Sequence, residues 1–177
     1  KTIEPANKRT LLALDVSGSM SSTALGIDLS CAQITAAMSM VTARTEPYYQ
    51  IMGFANTFKD LGISPSMDLN TVMKKVQNQN FGSTDCSLPM TWALINKIEI
   101  DTFVVYTDNE TYAGNIHPHK ALENYRQKMG RDARLAVVGI TATDFSIANP
   151  EDRGMMDFVG ADASMPRIMA DFSRGTI

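Results

Sequence analysis

The sequence predicts a doubly wound α/β domain: a mostly parallel central sheet with helices on both faces and one short antiparallel edge strand. Three observations predict it. Apolar strand-like runs alternate with helix-period segments along the whole 177 residues. The stretches 10–16 and 102–107 read as continuous buried-type strands, as expected of strands covered on both faces. Hydrophobic residues make up 44% and charged residues 20%, and a chain of this length can bury one full-sized core.

The elements follow in order. Residues 10–16 form a buried strand. Ser30 and Gln33 have the spacing of a capping box, and Ile34, Ala37, Met38 and Val41 then fall on one apolar helix face. Residues 49–55 are the next strand, and 57–63 close a hairpin with it as a short edge strand. Asp68 caps a helix over 69–76, and a helix over 87–97 tolerates Pro89 because it falls in the first turn. The β-branched run 102–107 is a strand. Residues 118–129 are a helix with Pro118 near its start, Ala121, Leu122 and Tyr125 facing inward, and Gly130 as its stop. Strands over 134–140 and 155–160 and a closing helix over 165–173 complete the domain.

Composition excludes several functions. No apolar run approaches the ~20 residues that span a bilayer, and no signal-peptide pattern opens the chain, so no membrane partner is expected. Net charge is −3, and Lys74, Lys75 and the charges from 126 to 134 read as scattered helix-surface charges. Without a basic stripe, the domain by itself is expected to be a poor nucleic-acid binder. Cys31 and Cys86 are too few for a disulfide framework or a zinc site and read as small buried residues near helix starts. Asn109-Glu110-Thr111 is a formal glycosylation sequon. A glycan at an active surface would obstruct it, which favours an intracellular, cytoplasmic or nuclear protein. Lys1 in place of an initiating Met suggests a fragment of a larger protein, and residues 1–177 read as a single domain, expected to be a monomer.

In doubly wound sheets, ligands bind outside the carboxyl ends of the strands, where the strand order reverses. The first strand ends in Asp15, followed at alternate positions by Ser17 and Ser19 with Gly18 between. The 102–107 strand ends in Asp108-Asn109-Glu110, and Gly82-Ser83-Thr84-Asp85-Cys86-Ser87 precedes a helix. These clusters should meet on one rim. They offer carboxylates and hydroxyls without histidine, a donor set for a hard divalent ion such as Mg²⁺. Alternation in an extended segment would point Asp15, Ser17 and Ser19 to one side.

Asp15-Val16-Ser17-Gly18-Ser19, Thr84 and Asp108, in this order and each after the appropriate element, resemble the metal-ion-dependent adhesion site of von Willebrand factor A domains. The resemblance implies Ser17, Ser19 and Thr84 as direct ligands of Mg²⁺ or Mn²⁺. It implies Asp15 and Asp108 acting mainly through water, and a sixth position left for an acidic group of a protein partner. Residues 82–90, Thr107 to Gly114, His117-Pro118 leading to Tyr125-Arg126, and Asp152 to Met155 further resemble the A domains of Ro-type ring proteins. That likeness implies a part in small noncoding (Y) RNA binding and RNA quality control. The RNA would be held by a helical-repeat ring that these residues do not include.

Glu110 is as readily a solvated loop charge as a water-mediated contact, and Asp85 reads as a helix cap. His117 and His119 read as helix-start residues, and Met38, Met40, Met73, Met129, Met155 and Met156 as core filling. A generic adhesion or assembly A domain would carry the same site. A phosphotransfer enzyme with an aspartyl nucleophile needs a second carboxylate two residues on, and Ser17 stands there. Ser17 is not in a G-x-S-x-G turn with a base beside it, so no catalytic residue is expected.

Overall fold

A computed structural model describes residues 3–24, 26–77, 82–108, 114–141 and 147–177. Along the chain run β1 (Thr10–Asp15), a short 3-10 turn (Gly18–Ser21), α1 (Cys31–Thr45), β2 (Tyr49–Phe54), β3 (Phe58–Asp60), α2 (Leu69–Gln77) and α3 (Leu88–Ile95). They are followed by β4 (Thr102–Thr107), α4 (Pro118–Met129), β5 (Arg134–Gly139), β6 (Met155–Val159) and α5 (Met165–Arg174).

The strands lie in the order β3-β2-β1-β4-β5-β6. All neighbours pair in parallel except the β2–β3 hairpin. The chain winds outward from β1 to β2 and β3, then returns to β1's other side as β4. The strand order therefore reverses between β1 and β4, and the expected site lies at that switch point.

The continuous apolar runs are explained by two cores. Leu12, Leu14, Val104, Tyr106 and Val138 face α1, α2 and α5. The alternate residues Leu11, Ala13, Phe103, Val105 and Val137 face α3 and α4. Period-two alternation thus buries both faces, at about 1.5–3 kcal/mol for each large apolar side chain. Tyr125 reaches into the second core edge-on to Phe103, and its hydroxyl is satisfied by donating to Ile98 O and accepting from Ile100 N, each at 2.7 Å.

The caps form as the sequence predicts. Ser30 and Gln33 exchange both capping-box hydrogen bonds, Asp68 accepts from Thr71 N, and Gly130 ends α4 with φ 63°. His117 is the N-cap of α4, and both cysteines are free and buried. Met38, Met40 and Met155 are buried, and Met73, Met129 and Met156 pack against the cores.

Two expectations need correction. Ile34 and Met38 are buried as expected, but Val41 is exposed and Thr35, Ser39 and Thr42 are buried, so the apolar spacing marks only part of the inward side of α1. The helix is covered by the sheet, α2 and α5 together, which leaves only a narrow outer strip and makes the spacing uninformative. Of the charges between 126 and 134, Lys128 is exposed on α4 as expected, but the three arginines are not scattered helix-surface groups. Arg126 is largely buried and paired with Asp152 at 2.5 Å, Arg131 binds Asp101 at 2.6 Å, and Arg134 opens β5.

Candidate metal centre

Asp15 is the last residue of β1 and is wholly buried. Its Oδ1 accepts the Ser17 backbone N–H at 2.8 Å, which turns the chain sharply off the strand. Ser17 keeps extended geometry, φ −63° and ψ 159°, but Ser19 lies inside the 3-10 turn. Strand alternation therefore does not bring Ser19 in. The turn does, anchored by buried Met20, and it leaves the Ser17 and Ser19 hydroxyl oxygens 3.0 Å apart.

The second loop is tied to the end of β2. Asp85 N–H donates to Ala55 O at 2.9 Å, which hangs Thr84 above Asp15, and the Thr84 hydroxyl donates to Asp15 Oδ2 at 3.3 Å. The Asp85 carboxylate accepts from Ser87 N (2.9 Å) and the Ser87 hydroxyl (2.6 Å), closing the turn into α3. Gly114 lies directly on this carboxylate: a Cβ there would sit 2.2 Å from Asp85 Oδ1. Gly114 is thereby seated on the second loop.

The third group comes from β4. Asp108 is buried just past the strand end. Its neighbour Thr107, which the sequence reading passed over, donates its hydroxyl to Asp15 Oδ2 at 2.8 Å and reaches Asp108 Oδ1 at 3.5 Å. Thr107 closes a β-branched strand run, and only the β1–β4 register shows that its hydroxyl meets Asp15. Thr141 N donates to Asp108 O at 2.7 Å, fixing that backbone from the β5 side. Asp15, Ser17, Ser19, Thr84 and Asp108 thus come from three loops to one rim. Glu110 and the sequon at 109–111 lie outside the described residues.

The electrostatics set Asp15 apart. Burial pushes its carboxyl above the ordinary value against the hydrogen bonds from Ser17 and Thr107, and the negative charge of Asp108 adds to the rise. Among the described residues no lysine or arginine pairs with Asp15. A buried carboxylate supported only by neutral donors is costly unless a cation is supplied. The donors are all oxygen. Cys86 is buried nearby, and burial together with the charges of Asp15, Asp85 and Asp108 holds it as a neutral thiol. The set fits a hard divalent cation and offers nothing soft.

His117 and His119 do not join this set: their rings stack at 4.1 Å, and His117 Nδ1 accepts His119 N–H at 3.3 Å within the start of α4. No helix among the described residues is long and apolar enough to cross a membrane.

Comparison with known proteins agrees with this architecture. Residues 9–173 match the family model described as the Ro60 vWA domain. A Deinococcus radiodurans protein named RNA-binding protein RO60 is 52% identical over 177 residues, 99% of this chain and 33% of its own length. The Caenorhabditis elegans protein of the same name is 41% identical over 174 residues, 98% of this chain and 27% of its own. This chain therefore spans about a third or less of these relatives. The crystal structure of the Deinococcus radiodurans Ro protein superposes with a TM-score of 0.92 over 99% of this chain and 36% of that one. At 11% identity, mussel byssus proximal thread matrix protein 1, solved with a zinc-occupied MIDAS motif, shares the fold at a TM-score of 0.62 over 98% of this chain and 48% of that one.

Proposed function

The chain belongs to the Ro60 vWA domain family, and from that premise we propose that it is a divalent-metal-dependent ligand-binding domain of an RNA-binding protein. Ser17, Ser19 and Thr84 would hold the ion directly with their hydroxyls and Asp15 and Asp108 mainly through water, the ion being Mg²⁺ or Mn²⁺. The metal supplies a positive centre to which a carboxylate of a protein partner is drawn. The residues around it do the rest. Thr107 orients Asp15 (2.8 Å), Asp85 fixes the loop that carries Thr84, and the hydroxyls add no negative charge that would repel an acidic ligand.

One observation carries this reading: oxygens from three loops converge on a buried carboxylate for which the described residues provide no cation. The assignment is of binding rather than catalysis, since the position two residues after Asp15 is Ser17. In the longer proteins of this family the domain would act beside a helical-repeat region that holds small noncoding Y RNAs, in intracellular RNA quality control. Its own ligand would be an acidic protein group.

Calorimetric titration of the purified chain with Mg²⁺ and Mn²⁺, beside Asp15→Ala, tests this. Saturable binding lost in the variant is expected. Equal heats from the two proteins would remove Asp15 from the site.

A further inference from the structure

At the pole opposite the candidate metal centre, where the strands begin, lies an open polar cavity of about 350 Å³, large enough for a small solute. Its wall carries four cationic side chains, Lys8, Arg131, Arg134 and Arg174, against two carboxylates, Asp101 and Asp132. Glu99 and Asp171, which pair with Arg131 and Arg174, bring the charges near balance, so what sets the cavity apart is that Lys8 and Arg134 form no ion pair among the described residues. We propose that the cavity binds a phosphate group, free or carried by a small solute. The inference does not depend on the metal reading.

Ordinary structural roles account for only half of these cations. Arg174 closes α5, where the helix dipole favours a cation, and it pairs with Asp171 and donates to Glu4 O at 2.7 Å. Arg131 follows α4 and is held by Asp101 at 2.6 Å and Glu99 at 3.3 Å. Arg134 has neither explanation. It opens a strand rather than ending a helix, and among the described residues neither it nor Lys8 forms an ion pair.

Arg134 is nevertheless held in place. Its guanidinium stacks 5.2 Å from the Phe172 ring centroid. Gly175, at φ 78°, leaves it room, for a Cβ there would come within 2.7 Å of Arg134 Nη2. Nε of Arg131 and Nη1 of Arg134 are buried N–H groups without an acceptor among the described residues. A preorganised guanidinium fork beside a second cation matches the several oxygens and double charge of a phosphate better than a single carboxylate.

The test is an NMR titration of the metal-free chain with inorganic phosphate at constant ionic strength. Saturable shifts are expected at the amides of Gly130, Arg131, Arg134 and Gly175, with Ser17, Ser19 and Thr84 unmoved. Arg134→Gln should weaken binding about tenfold, the loss of one charge-assisted hydrogen bond. Lys8→Gln, a surface change that leaves the fold alone, should weaken it about threefold by removing one partly screened charge. AMP and adenosine distinguish the sources. AMP binding tighter than phosphate would identify a nucleotide monoester, and equal binding would identify the free ion. Unsaturable shifts, unchanged affinity in both variants, or adenosine binding as well as AMP would each overturn the proposal.

Discussion

Asp15 and Asp101 sit at opposite ends of adjacent parallel strands and show what a carboxylate means in this fold. Asp101 precedes β4 and accepts from Arg9 N at 2.9 Å and Arg131 Nη2 at 2.6 Å. Burial raises its carboxyl, but those hydrogen bonds and the charges of Arg131 and Arg9 outweigh it, and the net shift is downward. Asp15 ends β1 with neutral donors only and is shifted upward. At the amino pole the chain answers its aspartate with its own arginine. At the carboxyl pole it surrounds an aspartate with hydroxyls, and the described residues bring it no cation. Both are polar strand ends, and the counter-charge separates a structural clasp from a candidate site.

The largest effect that could break this contrast is on metal affinity. Ser17→Ala combined with Ser19→Ala should reduce Mg²⁺ affinity by ~100-fold or more, because two hydroxyl ligands are removed from an ion that binds only oxygen. The far-ultraviolet circular dichroism should be unchanged, since both serines stand on a rim above a finished core. Unchanged affinity in calorimetry would mean that Ser17 and Ser19 do not hold the ion.

Next come two substitutions of opposite sign. Asp15→Asn removes a buried charge that has no cationic partner, and should stabilise the metal-free chain by roughly 1–2 kcal/mol while abolishing any rise in Tm on adding Mg²⁺. Asp101→Ala removes the acceptor of Arg9 N–H and Arg131, and should destabilise by about 1–2 kcal/mol, a few degrees in Tm, with metal affinity untouched. Thermal melts with and without Mg²⁺ read both. If both variants move stability the same way, the two aspartates are not different in kind.

Much of this was legible in the sequence, for identifiable reasons. Strand–helix alternation, the Ser30 box, the Asp68 cap and the Gly130 stop are local signals, and each element they predicted is present. What failed was non-local. Val41 looked inward because helical spacing cannot say how many neighbours cover a helix. Ser19 was expected beside Ser17 by strand alternation, and a 3-10 turn brings it there instead. Thr107 was invisible because a β-branched residue ending an apolar run reads as core. Its contact with Asp15 spans 92 positions and exists only once β1 and β4 are paired. Arg134 read as one more surface charge for the same reason: Phe172 and Gly175, which hold it, come from the far end of the chain.

The smallest effect is the shape of the acid limb, and it carries the sign of the comparison. Asp101 and Asp152 have carboxyls held below the ordinary 3.8. In Asp152 burial pushes upward, and the Arg126 and Gly154 hydrogen bonds outweigh it. Their contribution is therefore complete above the unfolded value near 4 and is lost as pH falls through the lower folded values. Asp15 runs the other way. With its folded value raised, the native state takes up the proton first, so falling pH relieves its penalty before the other two begin to fail. Urea midpoints in metal-free buffer at pH 7, 5, 4 and 3 should then show a steeper decline for Asp15→Asn than for the wild type between pH 7 and 4. Below pH 4 Asp101→Ala should show a shallower one. Parallel curves for all three proteins would mean that the poles do not differ in how their carboxylates are compensated. The contrast between clasp and site would then rest on hydrogen-bond geometry alone.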